Sequence, residues 1–454
     1  MMLSPRALLR SPAQVSIFGF LTIISIGTAL LMTPAASTLG HLSFVDALFM
    51  AVSASCVTGL EVVNTGKALS TFGQLVILAL IQTGGLGIMT LSTLFLLLGG
   101  RRPSLAGRML IQDTYTRSGE RSVSDIIRDV VQFTLIIEGM GALLIFLRFF
   151  PGRTVGEALY VSVFHAISAF CNAGFSLFSD SLVAYREDWA LNLTVCFLIV
   201  SGGIGFLVLS ELKRNFSFNR RSWSRLSLHS KLVLSTTAIL LIFSSLSITL
   251  MEWHNTLAPL SFPGRFLAGF FQATSARTAG FNTLPINEMA NETLFVLIVL
   301  MFIGASPGSC GGGIKTSSFA SLFLLGLSRL RGQERPQIFH RSISAKSIGK
   351  AISVVLISMI VVVLANMVIL MIELGETPHP LSRGKFLELL FEVVSAFGTV
   401  GLSAGVTAGL SMAGKLILSA VMFVGRLGPL VIAMAVSRET APRYYYAEEE
   451  IMNG

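Results

Sequence analysis

The sequence predicts an all-α polytopic membrane protein in which four parallel span, pore-helix, span repeats surround a pseudo-fourfold central pore. Three observations predict it: a high apolar content, a motif that occurs four times, and basic residues confined to alternate connections. Of the 454 residues, 53% are hydrophobic and only 13% are charged, whereas about 25% are charged in soluble domains. The composition therefore excludes an ordinary soluble domain.

Two apolar runs are long enough to cross a bilayer on their own. A hydrocarbon core of about 30 Å requires about 20 apolar residues in a helix, and residues 15–32 and 351–371 approach or meet that length. The first run follows Arg6 and Arg10 and ends at residues 33–35 without a convincing small-residue cleavage site. We therefore expect a retained span with a cytoplasmic N-terminus rather than a signal peptide.

The basic residues are concentrated in three connections between hydrophobic segments. They are Arg101, Arg102, Arg108, Arg117, Arg121 and Arg128; Lys213, Arg214, Arg220, Arg221, Arg225 and Lys231; and Arg329, Arg331, Arg335, Arg341, Lys346 and Lys350. The positive-inside rule places these connections in the cytoplasm, so the net charge of +9 reflects membrane topology rather than nucleic-acid binding.

Acidic residues lie in the intervening segments, which are poorer in Lys and Arg. They are Glu61, Asp180, Glu187, Asp188, Glu288 and Glu292. We expect these segments on the outer side of the membrane. A negative rim at that position would concentrate cations at the entrance of a pathway.

One eight-residue motif occurs four times without gaps. It reads Ser-Ala-Ser-Cys-Val-Thr-Gly-Leu at residues 53–60, Ser-Ala-Phe-Cys-Asn-Ala-Gly-Phe at 168–175, Thr-Ser-Ala-Arg-Thr-Ala-Gly-Phe at 274–281 and Ser-Ala-Phe-Gly-Thr-Val-Gly-Leu at 395–402. The motif glycines are Gly59, Gly174, Gly280 and Gly401, and 115, 106 and 121 residues separate them, enough for a complete hairpin unit each time. This internal repeat decides the predicted fold.

Each motif follows an apolar run that is too short to cross the membrane. These runs cover residues 44–54, 158–170, 266–276 and 386–397, lengths typical of a helix that enters the membrane partway and returns. A full span with a second glycine cluster is predicted after each motif, the clusters being at residues 84–87, 202–205, 312–315 and 425–428. Each unit is thus predicted to be a span, a pore helix, a loop and a second span.

Both ends of every unit lie among predicted cytoplasmic residues, so the four units share one orientation. Parallel repeats imply an axis along the membrane normal, and non-helical backbone at membrane depth is tolerated only where protein buries it or where it lines water. A pore on that axis follows. The predicted units are residues 1–100, 101–222, 223–335 and 336–437, followed by a cytoplasmic tail at 438–454.

Other architectures and functions fit the pattern less well. Four glycine kinks in a helical bundle would not explain a gapless motif after four short helices. An alternating-access carrier, which favours inverted halves, remains an alternative. A membrane enzyme would need clustered His, Asp, Glu or Cys within spans, which the sequence lacks. The four cysteines, Cys56, Cys171, Cys196 and Cys310, have no metal-binding spacing, and we expect them to be buried free thiols.

The three residues that end at each motif glycine are the candidate ion-binding residues, and we call these triplets the filter loops. They are Val57, Thr58 and Gly59; Asn172, Ala173 and Gly174; Thr278, Ala279 and Gly280; and Thr399, Val400 and Gly401. Glycine permits left-handed backbone and close approach, so backbone carbonyls can replace the hydration shell of an ion. Each pore helix also points the negative end of its dipole, about half a charge, at the axis.

The filter loops are not equivalent in sequence. Residues 399–401 reproduce the Thr-Val-Gly part of the potassium-channel filter, whereas the other three loops do not. With one shared glycine per loop, we expect weaker discrimination between potassium and sodium than in a symmetric channel. The next residue in each unit, namely Leu60, Phe175, Phe281 or Leu402, is expected to pack behind its loop.

The four units and their motifs resemble those of the Trk/Ktr/HKT potassium transporters over nearly the whole chain. The resemblance is greatest to the KtrB-type membrane subunits of bacterial Ktr systems, because the two extra N-terminal spans of TrkH relatives are absent. It implies potassium uptake, often sodium-stimulated, by a homodimer in the lipid of the bacterial inner membrane. A less selective sodium/potassium transporter of the same superfamily is the alternative.

The resemblance also implies a regulatory partner, a cytosolic nucleotide-binding ring of the RCK type. No Walker-type loop occurs in this chain, so any nucleotide control would come from that partner. The basic connections and residues 438–454 offer a docking surface for it. Potassium, with sodium as a second candidate, is the transported ion, and no organic cofactor or nucleic acid is expected.

The third unit has an unusually long segment between its filter glycine and its glycine cluster. The four distances are 25, 28, 32 and 24 residues. The excess falls at Gly304, Ala305, Ser306, Pro307, Gly308, Ser309, Cys310, Gly311, Gly312 and Gly313, a composition that cannot remain a regular helix. We call residues 304–313 the intramembrane loop; in the family that it resembles, the matching loop is a gate.

Two cations align with the glycine clusters, Lys315 in the third unit and Arg426 in the fourth. A cation at the bilayer centre costs about 2.5–3.5 kcal/mol, so both should face protein or water. In a cation pore a fixed positive charge is a barrier. Our hypothesis is that Arg426 and the intramembrane loop together obstruct the closed pathway, with Arg426 paired to loop carbonyls or to an acid. The matching arginine of the family supports it.

Three further polar residues in apolar segments have simpler interpretations. Arg277 is expected to point away from the ions and to fix its loop through hydrogen bonds. His165 is expected to be a packed, hydrogen-bonded histidine rather than a ligand. Glu138 is expected to pair with a basic residue, with sodium binding as the weaker alternative.

Overall fold

The computed structural model describes residues 12–38, 40–87, 123–215, 220–333 and 335–428. Within these ranges nearly all regular structure is helical, as expected where backbone groups must find partners without water. Five arginines of the first basic connection, from Arg101 to Arg121, lie outside the described residues, as does the predicted tail at 438–454.

Each predicted unit contributes three principal helices. The first spans are α1 (Pro12–Leu31), α5 (Val123–Phe149), α10 (Leu228–Met251) and α14 (Ala345–Glu373). The pore helices are α2 (Phe44–Ser55), α6 (Val155–Phe170), α11 (Phe262–Ser275) and α15 (Lys385–Gly398). The helices after the filter loops are α4 (Thr71–Leu86), α7 (Trp189–Ile204), α12 (Asn291–Phe302) and α16 (Met412–Leu427).

Shorter elements connect these helices. The α-helices among them are α3 (Thr65–Ala68), α8 (Phe206–Arg214), α9 (Arg220–Arg225) and α13 (Thr316–Leu330). Single 3-10 turns cover Pro34–Ala36, Phe150–Gly152, Val183–Tyr185, Ile286–Glu288, His379–Leu381 and Thr407–Gly409. Strands β1 (Gln337–Ile338) and β2 (Arg341–Ser342) form an antiparallel hairpin that pairs Gln337 with Ser342 and Ile338 with Arg341.

Three stretches of the described chain are long and apolar enough to cross a membrane by themselves. They are Arg128–Gly152, Leu228–Met251 and Ala345–Glu373, and the last includes the predicted span at 351–371. Helices α7 and α8 would count as a fourth only if taken together, and they meet at an angle of 98°. The 20-residue α1 covers nearly all of the predicted span at 15–32.

The pore helices begin at capping residues and end at the motif. Ser43 caps α2 by accepting a hydrogen bond from the backbone of Asp46, and Thr154 forms a capping box with Glu157 at the start of α6. The four pore helices have 12–16 residues, or roughly 18–24 Å at 1.5 Å per residue. The predicted short helices are therefore present, and each ends within one residue of its predicted end.

The prediction that a full second span contains the glycine cluster is wrong for the third unit. Helices α4, α7 and α16 end inside their clusters, and α12 ends before its cluster. The next residues after α4, α7 and α16 are Gly87, Gly205 and Gly428, with φ of +78°, +98° and +84°. A left-handed residue ends a helix because it turns the following backbone out of the hydrogen-bonding pattern.

Other glycines of these clusters allow the helices to touch the pore helices. A methyl group on Gly84 would lie 1.9 Å from the carbonyl oxygen of Ser55. One on Gly425 would lie 1.9 Å from that of Phe397. Any side chain would therefore separate these helices from the ends of pore helices α2 and α15.

The third unit lacks a continuous helix where its siblings have one. Helix α12 ends at Phe302, and α13 begins only at Thr316. Ile303 and Ile314 form an isolated parallel bridge that closes the base of the intervening segment. The predicted interruption at residues 304–313 is confirmed.

Contacts between the units run in a closed cycle. Helix α4 packs against α6, α7 against α11, α12 against α15 and α16 against α2. In each contact the helix after one filter loop packs against the pore helix of the next unit, and the fourth unit returns to the first. An ion pair of 2.8 Å between Lys415 Nζ and Asp46 Oδ1 also joins α16 to α2.

Candidate functional site

The four motif glycines pack against one another in a closed ring. A methyl group on Gly59 would lie 2.3 Å from the carbonyl oxygen of Ala173, and one on Gly174 would lie 2.9 Å from that of Ala279. A methyl group on Gly280 would lie 2.5 Å from the carbonyl oxygen of Val400, and one on Gly401 would lie 2.1 Å from that of Thr58. Each glycine thus faces the filter loop of the next unit. The backbones approach so closely that no side chain fits.

The filter loops combine two left-handed positions in three residues. The glycines have φ between +73° and +93°, and the first residues of the loops, Val57, Asn172, Thr278 and Thr399, have φ of +56°, +60°, +72° and +49°. Left-handed backbone is unusual for β-branched residues and costs of order 1–3 kcal/mol at each position. Its presence in all four loops indicates that the surrounding structure holds one shared backbone path.

Motif hydroxyl groups hold the filter loops in place. The backbone N–H of Gly59 donates to Ser53 Oγ, and that of Gly401 donates to Ser395 Oγ, both at 3.1 Å. In the second unit, Ser168 Oγ donates instead to the carbonyl of Phe175 at 2.8 Å. In the third unit Ser275, rather than Thr274, donates to the carbonyl of Phe281.

The apolar residues after the motif glycines pack as predicted. Leu60, Phe175, Phe281 and Leu402 are fully buried or nearly so. The other filter-loop residues are also buried, and four carbonyl-bearing loops therefore sit in a tightly packed protein frame. Such a frame limits how far the loops can move toward or away from one another.

A cavity of about 600 Å³ opens on one side of the glycine ring. All four motif glycines line it, whereas the other eight filter-loop residues do not. Its wall also contains Asn64, Ser176, Ser179, Ser181, Asn282, Asn287 and Ser403. A hydrated cation can therefore meet polar groups before it reaches the ring of glycines.

Only three of the six predicted rim acids line this cavity: Glu61, Asp180 and Glu288. Glu187 accepts hydrogen bonds from the backbone and hydroxyl of Ser261 at the start of α11, and Asp188 pairs with Arg148 at 2.5 Å. Glu292 is exposed and is not part of the cavity wall. The predicted negative rim is thus smaller, because two acids stabilise structure elsewhere.

Glu61 is the rim acid closest in sequence to a motif glycine. Its carboxylate accepts hydrogen bonds from the backbone and the hydroxyl of Thr65, at 3.1 and 2.9 Å. Burial raises the pKa of Glu61 to about 7, although these hydrogen bonds oppose the shift. The Glu61 carboxyl therefore gains its charge as the pH rises through about 7.

On the other side of the filter loops lies the intramembrane loop. The backbone N–H groups of Ser306 and Cys310 donate to the carbonyls of Gly203 and Gly202, at 3.0 and 3.1 Å. The N–H of Phe206 donates back to the carbonyl of Gly308 at 3.0 Å. The loop is thereby fixed to the junction between α7 and α8.

Both predicted gate cations contact the intramembrane loop. Arg426 donates to the carbonyl of Cys310 and also to the carbonyl of Gly84 in the first unit. Lys315 Nζ donates to the carbonyl of Gly311 at 2.6 Å. The predicted pairing of Arg426 with loop carbonyls is therefore present, and Arg426 bridges the first, third and fourth units.

The prediction that Glu138 pairs with a basic residue is wrong within the described part of the chain. Its carboxylate accepts a hydrogen bond from Gln82 Nε2 at 3.2 Å, and Cys171 Sγ lies 3.8 Å away. Gln82 lies on α4, Glu138 on α5 and Cys171 directly after α6, a proximity that the sequence does not reveal. The four cysteines are free and buried, as predicted.

The Arg277 side chain points away from the cavity at the glycine ring, as expected, but makes no hydrogen bond to its loop among the described residues. It lines a separate void of about 10 Å³ beside Thr237 and Leu241, and its Nε has no partner there.

The prediction for His165 is confirmed: Nδ1 lies 2.8 Å from the carbonyl of Val161 and Nε2 lies 3.1 Å from Ser176 Oγ.

Glu392 is a site residue that the sequence analysis missed. It is buried on pore helix α15 and accepts hydrogen bonds from the hydroxyls of Ser403 and Thr407 and from the backbone of Ala404. It thus shapes the segment that follows the fourth filter loop. The signal was available, because Glu392 occupies the same motif register as His165, the buried polar residue of the second pore helix.

Comparisons with known proteins point to one group. The family model TrkH, described as a cation transport protein, matches residues 9–442. The chain is 39% identical over 446 residues to Ktr system potassium uptake protein B of Bacillus subtilis, covering 98% of this chain and 97% of that protein. It is 34% identical over 449 residues to the potassium/sodium uptake protein NtpJ of Enterococcus hirae, with coverages of 98% and 97%.

A solved structure has the same fold. The potassium transporter TrkH from Vibrio parahaemolyticus superposes with a TM-score of 0.71, covering 93% of this chain and 85% of that one, at 18% sequence identity. At this level of identity the likeness concerns the fold alone.

Proposed function

Because this chain belongs to the TrkH family of cation transport proteins, we propose that it is the channel-like, ion-translocating subunit of a potassium uptake system. The observation that carries the proposal is the closed ring of Gly59, Gly174, Gly280 and Gly401 at the floor of an acid-lined cavity. Four loops that meet at one point can present carbonyls to a single dehydrated cation.

The outer cavity and the filter loops form the entry half of the proposed pathway. Glu61, Asp180 and Glu288 attract cations, and the filter-loop carbonyls replace their hydration water. The C-terminal dipoles of the pore helices add a negative potential at the same point. An inside-negative membrane potential supplies about 2.3 kcal/mol per charge per 100 mV, so uptake needs no ATPase activity in this chain.

The intramembrane loop is the gate in this proposal. Its contacts with Arg426 and Lys315 put two positive charges beside the path under the filter loops, and a fixed positive charge raises the barrier for a cation. Movement of the loop would have to break its hydrogen bonds to Gly202 and Gly203. We propose that the described arrangement, in which these bonds are formed, is the closed state.

A regulatory partner completes the proposed system. Relatives named as Ktr system proteins B support a multi-component assembly, and we propose a cytosolic nucleotide-binding ring that acts on a homodimer of this chain. The units at 1–100, 101–222, 223–335 and 336–437 would each place their basic connections toward that ring.

We propose that the filter loops select potassium over sodium only in part. The name of the Enterococcus hirae relative includes sodium as well as potassium, and three of the four filter loops lack the Thr-Val-Gly sequence. A sodium/potassium-permeable transporter is therefore the second candidate. Sodium-stimulated uptake is tested by the same flux experiment with and without sodium.

The test is rubidium uptake by a potassium-uptake-deficient bacterium that expresses the full chain or its Gly280→Ser variant. A side chain at Gly280 would lie within 2.5 Å of the carbonyl oxygen of Val400 and adopt φ of +80°. Left-handed backbone alone costs about 1–2 kcal/mol, so we expect the apparent KM for rubidium to rise about tenfold.

Gly139→Ser is the matched control, because a methyl group on Gly139 meets nothing within 4 Å in the described part of the chain. It should leave the apparent KM unchanged at equal abundance in the membrane. An unchanged KM in Gly280→Ser would remove the glycine ring from the ion pathway.

A further inference from the structure

The intramembrane loop and the filter loops share a direct contact through one threonine side chain. The backbone N–H of Gly312 donates to Thr399 Oγ1 at 2.9 Å. A methyl group on Gly312 would lie 2.5 Å from the same oxygen, so the two backbones approach closely here. Thr399 is completely buried, and the hydrogen bond is therefore shielded from competing water.

A second threonine makes a similar approach in the neighbouring filter loop. A methyl group on Gly311 would lie 2.2 Å from Thr278 Oγ1. Thr278 Oγ1 also lies 3.2 Å from the side-chain amide of Asn172, the first residue of the second filter loop. Two consecutive loop glycines therefore rest against the first residues of two filter loops.

The contact coincides with an unfavourable backbone conformation. Thr399 has φ of +49°, which is unusual for a β-branched residue. Such a conformation persists only where the surroundings hold it. The hydrogen bond to Gly312 is one of the interactions that hold it, and this bond belongs to the intramembrane loop rather than to the filter frame.

The loop cannot leave without breaking this bond. Its other anchors are Gly202 and Gly203 of the second unit and Arg426 of the fourth unit, to which Thr399 also belongs. Displacement of the loop would leave the hydroxyl of Thr399 without this donor and would remove one restraint on the fourth filter loop. The filter loops would then differ between the two positions of the intramembrane loop.

We propose that Thr399 is a positioning residue that couples the intramembrane loop to the cation selectivity of the filter loops. The inference rests on the proposed roles of both segments. Coupling between two sites is reciprocal: displacement of the loop lowers discrimination between potassium and sodium, and a potassium ion in the filter loops favours the closed loop.

The test uses Thr399→Val, with Thr399→Ser as the matched control. Valine keeps the β-branched shape but cannot accept the hydrogen bond, and Val57 already adopts φ of +56° at the same position of the first unit. Serine keeps the hydroxyl. Rubidium flux and the rubidium-to-sodium flux ratio are measured in proteoliposomes containing the full chain.

In Thr399→Val, we expect basal rubidium flux to rise about two- to tenfold, the range corresponding to about 0.5–1.5 kcal/mol for one hydrogen bond. The rubidium-to-sodium ratio should fall at the same time. Because serine keeps the hydroxyl that accepts from Gly312, Thr399→Ser should change both quantities less than Thr399→Val does. A purely structural role would reduce flux in both variants and leave the ratio unchanged.

A double-mutant cycle with Arg426→Ala separates this inference from the proposed gate. If Arg426→Ala releases the loop, it should raise flux, and Thr399→Val should then add little. Thr58→Val changes a buried threonine of the first filter loop whose hydroxyl has no partner among the described residues, so its effect should be additive with Arg426→Ala.

The outcomes distinguish the two ideas. No increase in flux for Arg426→Ala would overturn the gate and, with it, the coupling. An increase for Arg426→Ala, together with an unchanged flux ratio in Thr399→Val, would overturn the coupling alone. Fully additive effects of Thr399→Val and Arg426→Ala would do the same.

A second measurement needs no substitution in the filter loops. Cys310 lies buried in the intramembrane loop, and its reaction with a membrane-permeant maleimide can be followed by peptide mass spectrometry. Potassium should slow this reaction about two- to tenfold relative to choline, the range for one hydrogen bond. Equal rates would contradict the coupling even if Thr399→Val fails to fold.

Discussion

At the four motif glycines, a missing side chain leaves room for the backbone of the next filter loop. The space is not equal around the ring. A methyl group would lie 2.1 Å from the nearest carbonyl oxygen at Gly401 but 2.9 Å at Gly174. Gly401 and Gly174 both have positive φ, of +91° and +73°, so the backbone strain of an alanine is similar at the two positions. The two substitutions therefore differ mainly in how closely the new methyl group approaches the neighbouring filter loop.

Gly401→Ala should therefore impair uptake more than Gly174→Ala. The methyl at Gly401 would lie 2.1 Å from the carbonyl oxygen of Thr58, whereas the methyl at Gly174 would lie 2.9 Å from both the carbonyl oxygen of Ala279 and Gly280 Cα, so that a smaller backbone shift relieves it. We expect at least a tenfold difference in rubidium kcat/KM, equivalent to about 1.4 kcal/mol. Initial uptake rates at equal membrane abundance measure it, and equal losses would contradict the ring geometry.

Glu61 should make uptake depend on external pH. Its pKa is raised to about 7 by burial, so the carboxyl is mostly neutral at pH 6 and mostly charged at pH 8. A charge gained at the cavity wall attracts cations by about 0.5–1 kcal/mol. The apparent KM for rubidium should thus fall about two- to fivefold as external pH rises from 6 to 8.

The Glu61→Gln variant should remove most of this pH dependence and keep the weaker, low-pH affinity throughout. Glu292→Gln is the matched control, since Glu292 is exposed outside the cavity wall. A pH profile that is the same in Glu61→Gln and in the wild type would exclude Glu61 as its origin.

At the level of helices and loops, three equivalent glycines end helices α4, α7 and α16, but only one touches the intramembrane loop. A methyl group on Gly205 would lie 2.5 Å from the carbonyl oxygen of Pro307, whereas methyl groups on Gly87 and Gly428 would meet nothing within 4 Å among the residues that the structure describes. Gly205 therefore has two roles: it lies at the 98° bend between α7 and α8, and it makes room for the intramembrane loop.

Gly205→Ala should displace the loop, while Gly87→Ala should not. Both substitutions put alanine into left-handed backbone, at φ of +98° and +78°, so the strain of about 1–2 kcal/mol is common to both. We expect Gly205→Ala to raise basal rubidium flux in proteoliposomes several-fold above that of Gly87→Ala. Equal fluxes would show that the Pro307 contact does not hold the loop.

The sequence predicted the pore helices and the interruption of the third unit because both have local signals. A short apolar run precedes each motif, and residues 304–313 are too rich in glycine, serine and proline for a helix. It did not predict that Gly87, Gly205 and Gly428 end their helices. A glycine that gives helices room to pack and a glycine that ends a helix look alike in sequence, and only the backbone angle separates them.

For the whole molecule, the repeat predicted which residues share a position but not which residues from different units meet. Glu138 of the second unit meets Gln82 of the first, and Arg426 of the fourth unit binds the carbonyl of Gly84 in the first. Such contacts depend on how the units are arranged around the ring. Arg277 shows the same limit, since its direction was predictable but its surroundings were not.

The ring also closes between the two units that are most distant in sequence. Lys415 on α16 and Asp46 on α2 form an ion pair of 2.8 Å, with 15% and 25% of their side chains exposed. Lys385 and Glu388 form a pair of the same length within α15, with 50% and 31% exposed. The first pair joins two units, whereas the second stabilises one helix.

Lys415→Met should therefore lower the thermal stability of the detergent-solubilised protein, whereas Lys385→Met should have little effect. Removing one partner of a partly buried pair costs about 1–3 kcal/mol, which we expect to lower Tm by about 1–4 °C. An exposed pair within one helix contributes only about 0.3–0.5 kcal/mol. Thermal unfolding measures the Tm of Lys415→Met, Lys385→Met, Asp46→Asn and the Asp46→Asn/Lys415→Met double variant, and the double variant shows whether Asp46 and Lys415 are coupled. Equal Tm shifts for Lys415→Met and Lys385→Met would mean that the ion pair between Lys415 and Asp46 does not close the ring.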